Sequence, residues 1–263
     1  MRLDQLLIDS GHAAGRGEAR CLIEDGRVSV DGRQVLKPGA AVLPTAALAV
    51  NRPPIAYASR GGIKLASALD TFPVPVEGAI ALDAGASTGG FTDVLLRRGA
   101  ARVYAVDVGY GQLAWTLRSD PRVVVMDRTN VRYLAELPEA PAIATIDLAF
   151  ISLDLVLPRI QRLLQPDGHA VCLIKPQFEV GRSLVGKGGV VRSADAQSGA
   201  LRRVLSNALS DGWRAGGLVV SPITGPAGNR EFLAWLHHDA ALQEIELEDA
   251  IEKATGGAAI RAS

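Results

Sequence analysis

Two side chains that could transfer a proton, Asp147 and Lys175, each end an apolar run with the composition of a buried β-strand. Ligands in open α/β sheets bind outside the carboxyl ends of the strands, so both are candidates for chemistry on a substrate. An amine that has lost its own proton can take one from a hydroxyl group, and a carboxylate can orient that amine. Lys64, in a predicted helix, and Glu231, at the start of a late predicted strand, could hold a substrate. The simpler alternatives are a surface ion pair for the first two and a solvated Lys64.

A glycine-rich segment indicates a cofactor loop. It reads Leu82-Asp83-Ala84-Gly85-Ala86-Ser87-Thr88-Gly89-Gly90-Phe91, and its glycines allow the backbone to approach a ligand closely before a helix begins. A dinucleotide enzyme places G-x-G-x-x-G against a pyrophosphate, whereas the spacing here is Gly85-x-x-x-Gly89-Gly90 after an aspartate. This spacing favours a nucleotide-like cofactor without phosphates, such as S-adenosylmethionine. In the alternative interpretation, the glycines only form a tight turn.

Two aspartates follow the next two predicted strands. Asp107 is placed to accept hydrogen bonds from a ribose diol, and Asp127 is placed to accept one from an adenine amino group. An NAD enzyme also carries an acidic residue after its second strand, so Asp107 alone does not distinguish the two cofactors. The glycine spacing of the loop carries that distinction.

Alternating strand and helix patterns from residue 59 onward predict a parallel sheet with right-handed crossovers. Two late strands, near 213–220 and 231–237, predict a closing antiparallel hairpin, and residues 241–263 are expected to be frayed. The amino-terminal part predicts two helices at 2–9 and 17–25, a hairpin over 28–35 and a strand at 47–50. The other strands are predicted at 79–83, 102–106, 122–125, 142–147 and 169–174, and the other helices near 60–70, 90–98, 111–118, 154–164 and 196–210.

The composition describes a globular chain with 28 Lys and Arg residues against 28 Asp and Glu residues. The charge is uneven: residues 1–64 carry nine basic and six acidic side chains, a net +3, which hints that this end meets a polyanion. No apolar run approaches the roughly 18 residues of a membrane span, and the amino terminus lacks the pattern of a secretory signal. Cys21 and Cys172 have no framework spacing, so we expect buried, reduced thiols.

Several motifs, in order along the chain, are similar to those of the TlyA family, whose members join an S4 RNA-binding domain to a methyltransferase domain of the FtsJ type. The resemblance extends from Arg2 to about His237 and implies a Rossmann-like α/β methyltransferase sheet with a small α+β S4-like domain. It implies an S4-like domain at 1–50, a linker at 51–58, an FtsJ-like domain at 59–240 and a tail at 241–263. The matching segments are 2–4, 16–20, 26–32, 83–92, 107–113, 127–130, 147–153 and 175–181.

The resemblance implies S-adenosylmethionine-dependent 2′-O-methylation of ribose in ribosomal RNA, with cytidine as the nucleoside, by a Lys-Asp-Lys-Glu tetrad at Lys64, Asp147, Lys175 and Glu231. Our hypothesis makes Lys175 the base, Lys64 a fixed cation, Asp147 the group that orients Lys175, and Glu231 the group that positions Lys64 or the sugar. We expect ribosomal RNA or ribosomal subunits as partners, a cytoplasmic location and no metal site. The predicted cofactor contacts are Asp83, Gly85, Ser87, Thr88, Gly89, Gly90, Phe91, Asp107, Val108, Asp127 and Asp147; the predicted RNA contacts are Arg2, Arg16, Arg20, Arg27, Lys37 and Arg60.

Four alternative functions remain open. A noncatalytic RNA-binding or ribosome-assembly factor would keep the fold without binding the cofactor, and a cytolysin would need a membrane segment that the sequence does not supply. Base methylation is the closest catalytic alternative, because Asp147-Leu148-Ala149-Phe150 resembles the D-P-P-[FY] loop that grips a planar base. It lacks both prolines. A cytosine-C5 mechanism needs an exposed thiolate, which Cys172 in an apolar run does not suit.

Overall fold

The structure, a computed structural model, describes residues 1–13, 15–24, 26–51 and 57–256. The chain divides into two compact units: the smaller includes residues 1–51, and the larger includes residues 57–223 and 229–256. The predicted linker at 51–58 lies mostly in residues 52–56, outside the described residues.

The smaller unit packs two helices on a three-stranded antiparallel sheet. Its core consists of apolar side chains spaced three or four apart on the helices, including Leu3, Leu7 and Ile23, all without solvent exposure. The predicted hairpin is present, and its turn residues Asp31 and Gly32 both have positive φ, as the turn of a tight hairpin requires. The elements are α1 (Leu3–Asp9), α2 (Arg16–Glu24), β1 (Val28–Val30), β2 (Arg33–Gln34) and β3 (Leu48–Val50), with sheet order β2-β1-β3.

The larger unit is built on a seven-stranded sheet that is parallel except for one strand. The strands are β4 (Ile80–Ala84), β5 (Arg102–Val106), β6 (Val123–Met126), β7 (Ile143–Ile146), β8 (His169–Ile174), β9 (Arg214–Val220) and β10 (Phe232–His237). Their order is β6-β5-β4-β7-β8-β10-β9, and β10 runs antiparallel to both of its neighbours. The central strands β7 and β8 are buried along their whole length, which explains their near-continuous apolar sequences. The predicted α/β class and the closing antiparallel hairpin are confirmed.

Helices cover both faces of this sheet. Alternate residues of β4 face opposite layers: Leu82 packs with α6, α8 and α9, whereas Ala81 packs with α3 and α4. The result is a three-layer sandwich whose strand ends meet at a common edge. The helices are α3 (Gly61–Thr71), α4 (Gly90–Arg97), α5 (Trp115–Arg118), α6 (Leu157–Leu163), α7 (Pro176–Glu179), α8 (Ala194–Ser210) and α9 (Leu247–Gly256).

Two helix predictions differ from the structure. The helix predicted at 111–118 is confined to α5, because Gly111 has a left-handed φ of 67° and Ala114 has a ψ of 140°, and neither backbone conformation belongs in a helix. The tail predicted to be frayed from residue 241 instead contains α9, whose Ile251 and Ala254 are buried against the layer that holds α8. Burial of these two side chains stabilises a segment whose polar composition suggested disorder.

Candidate active site

An ion pair joins the ends of two adjacent strands. Asp147 follows β7, Lys175 follows β8, and these strands are parallel neighbours. The Nζ atom of Lys175 lies 2.5 Å from Oδ1 of Asp147, with side-chain exposures of 13% and 23%. The ion pair is therefore partly buried, but it keeps enough solvent exposure to contact a ligand.

A second ion pair is more deeply buried. Nζ of Lys64, on α3, donates to Oε2 of Glu231, with side-chain exposures of 9% and 1%. Glu231 immediately precedes β10, whose first residue Phe232 pairs with Ile174, the residue before Lys175. Glu231 and Lys175 therefore occupy the same level on neighbouring strands. The four residues of the predicted tetrad form two ion pairs at one edge of the sheet.

The glycine-rich loop runs against the first of these pairs. Gly85 has a φ of 92°, and a Cβ atom there would collide with the carbonyl oxygen of Asp147. Gly89, with a φ of 97°, begins α4, and a side chain there would collide with Leu117. The loop packs closely against its neighbours because these positions lack side chains. It leaves Ser87 and Thr88 exposed to solvent.

Two predicted cofactor contacts lie inside the protein instead. Asp83 has no solvent exposure, and its carboxylate accepts hydrogen bonds from Thr92 (2.6 Å) and Thr145 (3.1 Å). Burial raises the pKa of Asp83 to about 7. Phe91 is 3% exposed and packs in the core between the sheet and α4. Both side chains thus lie beneath the loop in this structure, and their role as cofactor contacts stays a prediction.

Asp107 and Asp127, the other two predicted aspartates, lie near the solvent-exposed part of the loop, which we call its rim. Asp107 accepts hydrogen bonds from the backbone N–H groups of Ser87 (2.8 Å) and Gly109 (2.7 Å), which fixes its carboxylate beside the loop. The next residue, Val108, is 67% exposed. Asp127 accepts from Arg118 at 2.5 Å and from the N–H of Gly111 at 3.2 Å. The hydrogen bond from Arg118 lowers the pKa of Asp127, so this carboxylate is ionised and already engaged within the protein.

This rim fits an adenosyl group. Asp107 keeps acceptor capacity for hydroxyl groups, because a carboxylate offers about four lone-pair sites and two are in use. Val108 offers an exposed apolar surface to a purine. The glycine loop offers close backbone approach, and it lacks the dinucleotide spacing that a pyrophosphate needs. The residues present therefore suit S-adenosylmethionine, as the sequence predicted.

Two aromatic side chains beside Lys175 were not among the predicted site residues. Phe150 is 91% exposed and has a φ of 64°, a left-handed conformation that is rare for a bulky residue. Its ring centroid lies 5.1 Å from that of Phe178, and Nζ of Lys175 lies 6.0 Å from the Phe178 centroid. Both lie in segments that resemble the TlyA family, Phe150 in 147–153 and Phe178 in 175–181, which is the sequence signal that could have identified them.

The predicted RNA contacts are divided between the two units. In the smaller unit, Arg2 and Arg16 line one pocket, although Arg2 donates two hydrogen bonds to Asp4, at 2.9 and 2.6 Å. Arg20 lies one turn after Arg16 on α2, and both are exposed. In the same unit Arg27 is half-buried and Lys37 is exposed, whereas Arg60 belongs to the larger unit, directly before α3.

Comparison with known proteins identifies the two units. The model of the FtsJ-like methyltransferase family matches residues 57–238, and that of the S4 domain matches residues 1–47. The chain belongs to the FtsJ-like methyltransferase family. It is 48% identical over 260 residues to the 16S/23S rRNA (cytidine-2′-O)-methyltransferase TlyA of Mycobacterium tuberculosis, with 96% of each chain covered. The predicted membership in the TlyA family is confirmed.

Two further relatives carry another name. The protein called Hemolysin A of Brachyspira hyodysenteriae is 39% identical, over 89% of this chain and 98% of its own. A solved structure from Streptococcus thermophilus, also described as a hemolysin, is 40% identical with a TM-score of 0.77, and covers 97% of this chain and 94% of its own. Among the described residues of this FtsJ-like methyltransferase, no helix is long and apolar enough to cross a membrane.

The structure argues against the cysteine-based alternative. Cys172 lies in the middle of β8 without solvent exposure, and burial raises the pKa of its thiol to about 12. A thiol of this kind stays protonated at neutral pH and cannot attack a pyrimidine ring.

Proposed function

We propose that this protein transfers the methyl group of S-adenosylmethionine to the ribose 2′-hydroxyl of a cytidine in ribosomal RNA. The observation that carries the proposal is the pair Lys175–Asp147 at the edge of the sheet where the glycine loop begins. Membership in the FtsJ-like methyltransferase family and the 48% identity with an rRNA (cytidine-2′-O)-methyltransferase support it.

S-adenosylmethionine, when bound, supplies a methyl group on a positively charged sulfur. The chain's own residues must remove the hydroxyl proton as the new carbon–oxygen bond forms and the carbon–sulfur bond breaks. In the proposal, Lys175 as the free amine accepts this proton at Nζ, and Asp147 orients it through the 2.5 Å contact. S-adenosylhomocysteine and the 2′-O-methyl ribose are the products, and Lys175 returns its proton to solvent.

The two lysines receive different roles because their partners differ in burial. The carboxylate of Glu231 is almost completely buried and fixes Lys64. A fixed ammonium group beside the ribose stabilises negative charge that develops on the attacking oxygen. Lys175 belongs to the more exposed pair, so it is better placed to exchange protons with substrate and solvent.

The exposed Phe150 and the half-buried Phe178 beside it support recognition of an unstacked nucleotide. Aromatic rings stack on bases of single-stranded or flipped-out nucleotides, and each such contact contributes about 1–3 kcal/mol. We assign the base of the target nucleotide to this platform, because Phe178 lies beside Lys175. We propose ribosomal RNA, free or within a ribosomal subunit, as the partner, and a cytoplasmic location stays a prediction.

Substitution of Lys175 by arginine provides the decisive test. Arginine keeps the positive charge beside Asp147 but does not lose its proton in proteins, so it cannot act as a base. With labelled S-adenosylmethionine and purified 30S and 50S subunits, wild-type protein should place label in 2′-O-methylcytidine. Lys175→Arg should lose at least about 100-fold in kcat. Lys253→Arg, at an exposed ion pair with Asp249 on α9, is the matched control and should behave as wild type.

Each other outcome has a definite meaning. Label on a base would refute the proposal of ribose methylation but would not affect the assignment of the fold. A Lys175→Arg variant with a wild-type rate would remove Lys175 from the role of base. If wild-type protein neither binds S-adenosylmethionine nor labels any RNA, the noncatalytic alternative replaces this proposal.

A further inference from the structure

A buried carboxylate, Glu179, connects the two loops that carry Asp147 and Lys175. Its side chain is 2% exposed. It accepts hydrogen bonds from Oγ of Ser152 at 2.7 Å and from the backbone N–H of Leu153 at 3.0 Å. Ser152 and Leu153 end the loop that begins at Asp147, and Glu179 ends the segment that begins at Lys175. The carboxylate therefore ties the far end of one loop to the far end of the other.

Arg203, on α8, completes this buried contact. One of its nitrogens, Nη2, donates to the Oε2 atom and to the backbone carbonyl of Glu179, both at 2.7 Å. Its other nitrogen, Nη1, pairs with Asp154. The charge of Glu179 is thus compensated, and Arg203 keeps a second acidic partner if Glu179 becomes neutral. A neutral side chain at position 179 would therefore leave no unpaired buried charge.

The two loops touch at three successive levels. The first is the ion pair of Lys175 with Asp147 at 2.5 Å, the second is the ring contact of Phe178 with Phe150 at 5.1 Å, and the third is the contact of Glu179 with Ser152. Between the first and third levels, Phe150 holds a left-handed backbone conformation with its ring in solvent. Such a conformation costs on the order of 1–3 kcal/mol and persists only when its surroundings fix it.

We infer that Glu179 is a positioning residue for methyl transfer. It anchors Ser152 and Leu153, two and three residues after Phe150, and thereby fixes both the exposed ring and the geometry of Asp147 against Lys175. Glu179 is too deeply buried to touch a substrate, so it acts only through these residues. The inference rests on the proposed function, in which Lys175 removes the ribose proton.

The test compares Glu179→Gln with wild type in four measurements: kcat and KM for the ribosomal subunit, the Kd for S-adenosylmethionine, the thermal midpoint, and hydrogen exchange of residues 148–155. Because a misplacement of about 1 Å can cost 100-fold in rate, kcat should fall about 10- to 100-fold. Exchange in 148–155 should be faster, and the Kd and the fraction of folded protein should stay near wild type. Glu139→Gln is the matched control, because it neutralises a carboxylate that pairs with Arg102 away from these loops. It should change neither kcat nor the hydrogen exchange of residues 148–155.

A second variant separates positioning from general destabilisation. Ser152→Ala removes one hydrogen bond of the same contact, so it should lower kcat by a smaller factor and add little in the Glu179→Gln background. Fully additive effects, or a Glu179→Gln variant with wild-type kcat, would overturn the inference. A fall in kcat that only mirrors lost folding or lost cofactor binding would also overturn it. If wild-type protein methylates no ribose, the proposed function fails, and an unchanged exchange rate in 148–155 would independently refute the anchoring role.

Discussion

Replacing Asp83 with asparagine should change how the stability of the protein depends on pH. Asp83 is fully buried beneath the glycine loop, and burial raises its pKa from 3.8 to about 7. The folded chain therefore keeps this proton at pH values where the unfolded chain has released it. Between about pH 4 and pH 7 the unfolded state binds fewer protons, so stability falls as the pH rises. At 1.36 kcal/mol per pH unit, the full loss is about 4 kcal/mol.

Asparagine has nearly the same shape and carries no charge at any pH, so this loss is absent in Asp83→Asn. Relative to wild type, its free energy of unfolding should increase by about 2.5 kcal/mol between pH 5 and pH 8. Urea denaturation at several pH values measures this difference, in which the contributions of all other groups cancel. Asp120→Asn is the control: the hydrogen bond from Arg122 lowers the pKa of Asp120, so its difference from wild type should be constant above pH 5.

The same variant tests the position of Asp83 relative to the cofactor. Because the side chain reaches only Thr92 and Thr145, affinity for S-adenosylmethionine should change by no more than a few-fold. A difference in stability that stays flat or decreases as the pH rises would refute the reasoning about burial. A loss of affinity of 100-fold or more, in a folded variant, would restore Asp83 as a direct cofactor contact.

Three further predictions concern the ion pair, the aromatic platform and the small unit. Glu231→Ala should lower the free energy of unfolding by about 3–5 kcal/mol in urea, because it leaves Lys64 charged and nearly buried without its partner. Phe150→Gly should raise that free energy by about 1 kcal/mol by relieving the left-handed strain, while single-turnover assays show slower methyl transfer; a stable variant with wild-type rate would exclude the platform. Arg16→Ala should weaken RNA binding in a filter assay and reduce the slope of log K against log salt by about 1, whereas an unchanged slope would remove Arg16 from the RNA contacts.

The parts of the fold that follow from local pattern were predictable. Strands β7 and β8 are runs of apolar residues typical of a doubly covered parallel sheet, and the loop at Gly85 to Gly90 has glycine where the backbone turns left-handed. The tetrad required more: nothing local in the sequence shows that Lys64 on α3 would reach Glu231, 167 residues away. That pairing was accessible only through the family resemblance.

The burial of individual residues around the site was not predictable, because a single sequence does not reveal it. Asp83 occupies a position typical of a ligand contact, yet its two threonine partners lie on α4 and β7 and enclose it completely. The exposure of Phe150 was not predictable either, because an aromatic residue in an apolar segment is ordinarily expected in the core. Phe150 has a left-handed backbone, and Ser152 and Leu153, two and three residues later, are hydrogen-bonded to Glu179 on another loop.

These observations indicate how rigidity is distributed around the site. Lys64 and Glu231 are held nearly without solvent, and Glu179 and Arg203 clamp the ends of the neighbouring loops. The Phe150 ring is 91% exposed, and the two ion pairs differ mainly at their carboxylates, because Asp147 is 23% exposed and Glu231 1%, whereas Lys175 and Lys64 are 13% and 9% exposed. A base must exchange its proton with the medium in every cycle, whereas a fixed cation gains strength from being shielded. The more exposed ion pair therefore suits the lysine that exchanges a proton, and the more buried pair suits the lysine that stays charged. This difference favours Lys175 over Lys64 as the base.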